Sequence, residues 1–164
     1  MNEHCVFCRI IAGEETVSIV YEDDRTVAFM DIQPASPGHV LVVSREHYAD
    51  LFGIPGSLAA HCLEVAQQLA PGIRDATGAA ALNLFSANGR AGGQDVQHFH
   101  LHMIPVSEGE HFELQLPRSG AQVPSRSQLD VMAARIGRAV QKAAELSRKA
   151  KPGRAVPASG SPGS

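Results

Sequence analysis

An α+β domain with a mostly antiparallel sheet of five strands is the fold class this sequence predicts. A short N-terminal helix, a long helix and a C-terminal helix accompany the sheet. Three observations predict it. Residues 97–103, Gln-His-Phe-His-Leu-His-Met, alternate polar and apolar side chains without a break, which is the period of an extended strand. Runs rich in Val, Ile, Leu and Phe at 18–22, 26–32, 39–44 and 79–87 are short and bounded by turn residues. Residues 57–76 and 125–146 instead repeat apolar side chains every three or four positions, as a helix with one buried face does.

Taken in order, Cys5–Ala12 reads as a short helix ended by Gly13. A strand over 18–22 turns through Glu22-Asp23-Asp24-Arg25 into a β-branched, aromatic strand over 26–32. Gln33-Pro34-Ala35-Ser36-Pro37-Gly38 is a stiff turn. The continuous apolar run from His39 to Ser44 fits a central strand buried on both faces. In the helix from Ser57 to about Ala76, Leu58, His61, Cys62, Val65, Leu69 and Ile73 share a stripe, and Cys62 reads as core. Pro71 and Gly72 should kink that helix or end it early. The strand over 79–87 leads through a glycine-rich loop, Asn88–Val96, into the histidine strand, which Pro105 should close because it cannot donate to a ladder. Residues 108–124 read as a loop. Ser125 or Ser127 caps a helix over 125–146, with Leu129, Met132, Ile136 and Val140 on one stripe. The expected organisation is one domain over 1–124, a helix at 125–148 packed on or near it, and a disordered tail at 149–164, rich in Pro, Gly, Ser and Ala.

With 164 residues the chain can bury a core without disulfide staples. Its net charge of −3 argues against a binder of nucleic-acid backbones, which would show a basic face. No stretch approaches the ~20 apolar residues of a membrane span, and no secretory signal opens the chain. The expected compartment is the cytoplasm, where the three cysteines stay reduced. Cys5-x-x-Cys8 then supplies half of a tetrahedral zinc site, whose other ligands must come from elsewhere. A redox pair fits less well, because such pairs follow a strand and only four residues precede Cys5.

The histidine strand places His98, His100 and His102 on one face, with Phe99, Leu101 and Met103 on the other. A solvated edge strand or a surface metal clip would also show three histidines. Three rings sharing a face are, however, hard to bury without polar partners. Neutral imidazole is a nucleophile and base near neutral pH. A glycine-rich turn beside it offers backbone N–H groups to an anion. Together these features describe phosphoryl or nucleotidyl transfer to a histidine.

His98-Phe99-His100-Leu101-His102-Met103-Ile104 resembles the histidine-triad motif, in which three histidines alternate with apolar residues. Phe29–Pro34, Gly38–Val42 and Asn88–Gln94 are similar to other parts of that family, and the likeness runs from about Cys5 to Pro105. It implies a nucleotide-binding hydrolase or transferase that acts at the α-phosphate and releases a nucleoside monophosphate, AMP for an adenylated conjugate or phosphoramidate. It implies His100 as the nucleophile, His102 at the phosphate or leaving atom, and His98 orienting the site. Asp31 would hold the ribose hydroxyls, as a carboxylate can by accepting two hydrogen bonds. Asn88, Gly93 and Gln94 would line the phosphate pocket, and His39 would contact the triad. Asn88 beside Gly89 is equally consistent with turn chemistry.

Bacterial members resembling this chain complete the zinc site with a histidine after the central strand and the first triad histidine, here His47 and His98. The metal would be structural; the alternative is two buried reduced cysteines and a surface His47. His4 is a worse-placed ligand. The resemblance also implies a homodimer through the long helix and the neighbouring strand.

Two positions depart from the family pattern. Asp95 stands where hydrolases of the family often carry a hydroxyl, and its charge would repel a phosphate unless the leaving group is cationic or a hydrogen-bond donor. Val106 stands where an arginine is frequent, which puts a long polyphosphate substrate in doubt. The rival readings are a dinucleoside polyphosphate hydrolase or nucleotide phosphorylase, a nucleotide-binding regulator with incidental activity, and a purely structural zinc protein.

Overall fold

The structure is a computed structural model that describes residues 4–110 and 124–150. The chain divides into two compact units, Met1–Glu113 and Leu114–Ser164. Unit one contains helix α1 (Val6–Ile11), strands β1 (Ile19–Glu22), β2 (Thr26–Met30) and β3 (Val40–Ser44), helix α2 (Gly56–Thr77) and strands β4 (Ala81–Phe85) and β5 (His100–Val106). The five strands form one sheet in the order β1-β2-β3-β5-β4, and every neighbouring pair is antiparallel. The α+β class expected from the sequence is the one observed.

β3 is central, and all five of its residues are buried. Its alternation feeds two cores. Val40 and Val42 join Ala28, Phe99 and Met103 against Leu58, Cys62, Val65 and Ile73 of α2. Leu41 and Val43 face the other way and join Val27, Phe29, the α1 residues Phe7 and Cys8, and Cys5 at the start of that helix. The histidine strand therefore does not lie open on its imidazole side. The N-terminal helix covers part of that face with one aromatic ring and two thiols.

Two proline expectations are corrected. α2 runs through Pro71 and Gly72 to Thr77 and ends at Gly78 in the left-handed conformation. Pro71 and Gly72 are exposed, so the carbonyl of Gln67 that loses its partner can turn to water, while buried Ile73 keeps the last turn docked. β5 likewise continues through Pro105, which pairs with Leu82 of β4. The β3–β5 pairing ends at Val40 and Met103, so the missing N–H falls outside that ladder. The carbonyl of Pro105 turns to the Ser36 hydroxyl, which donates to it at 2.6 Å.

The turn between β2 and β3 is tight. Gly38 has φ +89°, and a Cβ there would run into Cγ2 of Thr77 at the end of α2. Only glycine fits, and it hands the chain directly to His39. At the β1–β2 turn Asp23 accepts the N–H groups of Arg25 and Thr26 at 2.8 and 2.7 Å, and His61 of α2 sits 2.8 Å from its other oxygen. Burial alone would raise the Asp23 carboxyl. These bonds outweigh it and hold the group well below the usual carboxylate range.

Unit two contains helix α3 (Arg126–Ala150), whose last four residues, about one turn, reach past the expected end at 146 and into the first two residues of the expected tail. Ser125 caps it reciprocally: its hydroxyl takes the N–H of Gln128 at 3.3 Å, and the Gln128 side chain takes the Ser125 N–H at 2.8 Å. Leu129, Met132, Ile136 and Val140 are exposed. Of the loop expected at 108–124, residues 111–123 lie outside the described residues, as do residues 151–164 of the tail expected at 149–164. Among the described residues no helix is long and apolar enough to cross a membrane.

Candidate active site and metal centre

Backbone carbonyls decide how the three rings on the β5 face are used. His98 is fully buried just before β5, and its Nε2 lies 2.7 Å from the carbonyl of Ser44. A carbonyl only accepts, so Nε2 carries the proton and Nδ1 keeps its lone pair. That Nδ1 faces sulfur, 3.4 Å from Cys5 Sγ and 3.7 Å from Cys8 Sγ. His100 has the opposite arrangement. Its Nδ1 is 2.6 Å from the carbonyl of His98, so Nδ1 is the donor and Nε2 is left with a free lone pair.

His102 is set through a second ring. The N–H of Ala35 donates to Nδ1 of His39 at 3.1 Å, which puts the His39 proton on Nε2. That Nε2 lies 3.0 Å from Nδ1 of His102, so the neutral His102 ring carries its proton on Nε2. Asp31 is close by, with Oδ2 3.4 Å from His39 Nδ1 and Oδ1 accepting the Gln33 N–H at 2.8 Å.

Aromatic rings hold these imidazoles in place. Phe85, in register with His102 on β4, stacks on it at a centroid distance of 4.4 Å and an angle of 9°. Phe7 of α1 meets His100 edge-on at 5.3 Å. His100 and His102 stand 4.7 Å apart, T-shaped. Neither phenylalanine was singled out from the sequence. The β4–β5 register that seats Phe85 is a long-range fact, and Phe7 reads there simply as an apolar helix residue.

Burial pushes His102 and His98 down to about 4, helped in each case by neighbouring imidazoles. Burial lowers His100 and His39 as well. Asp31 and Asp95 oppose this at both His100 and His102 by favouring their charged forms. All four rings are thus neutral at neutral pH, with a nucleophilic nitrogen on His100 beside an N–H on His102.

The loop between β4 and β5 uses its side chains inwardly. Gln94 is buried; its amide donates to the carbonyls of Ala49 and Val96 at 2.6 and 2.9 Å, and its oxygen accepts the Gly89 N–H at 2.7 Å. Asn88 accepts the Leu51 N–H at 2.7 Å and donates to the Ser86 carbonyl at 3.1 Å. What these two side chains do here is shape the loop. Gly89 and Gly93 allow its turns with φ of +77° and +83°. Asp95 is exposed. A separate cavity of about 330 Å³ is lined by Ala35, Ser36, Pro37, Ile104, Pro105, Val106 and Glu110, with none of the triad in its wall.

Cys5, Cys8, His47 and His98 converge so that their ligand atoms all lie within 4.8 Å of one another. Cys8 Sγ and His47 Nδ1 are 3.4 Å apart. A tetrahedral zinc with bonds of ~2.3 Å to sulfur and ~2.0 Å to nitrogen requires a sulfur–nitrogen separation of about 3.5 Å. The donors fit that edge length, and the Ser44 carbonyl behind His98 is the outer partner that a metal-bound histidine needs. Burial raises the Cys5 thiol, so it would stay protonated without a cation.

The family pattern described as HIT domain matches residues 12–109. The chain belongs to the HIT domain family. Among the HIT proteins similar to it is Protein hit of Bacillus subtilis, 38% identical over 111 residues, which are 67% of this chain and 77% of that one. Adenylylsulfatase HINT3 of Arabidopsis thaliana is 38% identical over 66% of this chain and 55% of its own length. Adenosine 5'-monophosphoramidase HNT1 of Saccharomyces cerevisiae is 35% identical over 64% of both chains. Among solved structures, SMU.412c of Streptococcus mutans superposes with a TM-score of 0.78 at 31% identity, covering 85% of this chain and 87% of its own. A zinc-bound histidine triad protein of Mycobacterium smegmatis gives 0.64 at 32% identity, covering 76% and 86%.

Proposed function

We propose that this HIT protein is a nucleotide-binding hydrolase that releases AMP from adenosine phosphoramidates or similar adenylated conjugates through a nucleotidyl-histidine intermediate at His100. The observation that carries this reading is the bond from His100 Nδ1 to its own strand's carbonyl, at 2.6 Å. It leaves a bare Nε2 on a neutral ring beside a second imidazole, which is what in-line attack on phosphorus requires. The name of the yeast relative points to the phosphorus–nitrogen bond and that of the Arabidopsis relative to another adenylylated conjugate, so both support an adenylylated substrate.

In the first half of the reaction His100 Nε2 attacks the α-phosphorus and the phosphorus–nitrogen bond breaks. The bond's electron pair goes to the leaving nitrogen, which takes a proton delivered through His102. The charge of the bound phosphate, together with Asp31 and Asp95, favours the protonated form of that ring. In the second half, water attacks the phosphorus, its proton passes to His102, and His100 leaves with the electron pair of the bond it had formed. Asp31 holds the ribose hydroxyls, and the backbone at Gly93 and Gln94, whose own N–H groups donate to the carbonyls of Arg90 and Gly89 at 3.0 and 3.3 Å, lines the phosphate pocket by its shape. Phe85 and His39 hold His102 in position.

A structural zinc on Cys5, Cys8, His47 and His98 completes the proposal. With four protein donors it would leave no position for substrate, and it would tie the N-terminal helix to the segment that leads into the strand bearing the nucleophile. Release of AMP from adenosine 5'-phosphoramidate, followed by chromatography, tests the reading. Turnover by the native protein and none by His100→Asn is the expected result. Tight nucleotide binding without turnover would favour a regulator, and a preference for diadenosine polyphosphates would favour the rival hydrolase.

A further inference from the structure

We propose that Phe85 does more than hold His102 in place: the face of its ring stabilises the imidazolium that His102 becomes when it carries the proton for the leaving group. This rests on the reading of His102 as that proton carrier and adds to it a residue that acts through the ring rather than on the substrate.

The contact has the geometry that such a role needs. Phe85 ends β4 and pairs with His102 across the ladder, so the two side chains stand on one face of the sheet. Their rings lie 4.4 Å apart at an angle of 9°, the one stacked pair among the ring contacts of the described residues. A phenyl ring is negative over its faces and positive at its edge, so a cation lying over a face within ~6 Å of its centre is attracted. Both residues are half-buried, and partial removal from water strengthens that attraction.

The other groups touching His102 act in the opposite sense. Burial opposes a charge on this ring, and so do the imidazoles of His100, 4.7 Å away, and His39. The His39 Nε2–H points at His102 Nδ1 from 3.0 Å, which suits the neutral ring alone. Charging His102 puts a proton on that Nδ1, and His39 must then carry its own proton on Nδ1, 3.4 Å from Asp31 Oδ2. Asp31 and Asp95 favour the charged ring through space. Among the described side chains stacked on or bonded to His102, Phe85 is the one that favours its charged form.

The test replaces Phe85 with 4-fluoro-, 3,5-difluoro- and pentafluorophenylalanine, which nearly keep the shape of the ring and progressively withdraw negative charge from its face. Phe85→Leu removes the face altogether. For each protein kcat and KM for adenosine 5'-phosphoramidate are measured against pH. The titration of His102 is followed by NMR with and without AMP, its signal assigned through His102→Asn. Along the fluorinated series His102 should titrate at progressively lower pH, by about half a pH unit at the pentafluoro ring. Over the same series kcat should fall about threefold and its alkaline limb should move down in step, while KM and the urea midpoint stay near native. A loss of turnover in Phe85→Leu with no trend along the fluorinated series would mean packing alone, and overturns the proposal while leaving the phosphoramidate reading intact. If the native protein does not turn over the phosphoramidate, that reading fails and the catalytic part of this proposal with it. The NMR series then still decides the contact, and a His102 titration that ignores fluorination overturns it.

Discussion

His98 and His102 lie four residues apart, carry the same side chain and are both pushed down to about 4 by burial. Their surroundings nevertheless assign them different work. Both nitrogens of His98 are committed, one to the Ser44 carbonyl at 2.7 Å and the other to the two cysteine sulfurs. His102 has one nitrogen committed to His39 at 3.0 Å, and its Nε2 has no partner among the hydrogen bonds of the described residues. A ring with both nitrogens committed can only hold the fold, whereas a ring with a free N–H can also exchange a proton. His100 sits between them, anchored like the first ring and open like the second. The comparison can be broken at either end.

The largest effect is expected at the open end. His100→Asn should lower kcat/KM for adenosine phosphoramidate by a factor of about a thousand or more, equivalent to about 4 kcal/mol of transition-state stabilisation. The urea midpoint of that variant should stay near the native one, because a polar side chain of similar size remains. Turnover within tenfold of native would remove His100 from its role.

At the closed end the effect is on stability. Cys8→Ser, or stripping the metal with a chelator, should cost about 3 kcal/mol of unfolding free energy, a fraction of typical structural-zinc affinities because unit one also has apolar cores. Metal content and the urea transition should fall together. A Cys8→Ser protein that keeps one zinc per chain and its native midpoint would show that the four groups are merely buried neighbours.

A third intervention reaches the open end from a distance. Gly38→Ala places a Cβ against Thr77 Cγ2 and forces a side-chain residue to φ +89°, one position before His39. The expected cost is about 2 kcal/mol, split between a left-handed backbone and a clash. The two parts separate in the Gly38→Ala/Thr77→Ser double variant. Serine keeps the hydroxyl that bonds the Ile73 carbonyl at 2.7 Å and removes the methyl, so roughly half the loss should return. Full recovery would mean that the backbone conformation costs nothing.

What was legible in the sequence follows a physical boundary. Strand alternation put the three histidines on one face, and the apolar run 39–44 pointed to a central strand with two buried sides, observed over Val40–Ser44; both are local patterns. Where a side chain's partners lie far along the chain, legibility stopped. Phe85 on His102 depends on the β4–β5 register, and the Asp23–His61 contact joins a turn to a helix 38 residues on. The resemblance to family motifs, rather than any local pattern, suggested His39, and it did not reveal that Ala35 sets that ring's tautomer. Pro71 and Pro105 show the opposite failing. A strong local rule was outweighed by solvent at one site and by the end of a ladder at the other.

The smallest effect concerns pH. His102 is neutral in the folded protein down to about pH 4, whereas in the unfolded chain it takes up a proton near its ordinary value of about 6.5. The unfolded state therefore binds more protons between those values. Stability contributed by this group is constant above pH 6.5 and declines as pH falls toward 4. The ring is partly open to solvent, so the loss from it should be about 1 kcal/mol rather than the full value of the shift. Comparing urea midpoints at pH 7 and pH 5 in saturating zinc should show a steeper decline for the native protein than for His102→Asn. Adding AMP should flatten the native decline, because a bound phosphate favours the charged ring that burial opposes. Parallel declines in the two proteins would mean that His102 titrates alike folded and unfolded, and the ring would then lack the dry setting on which its contrast with His98 depends.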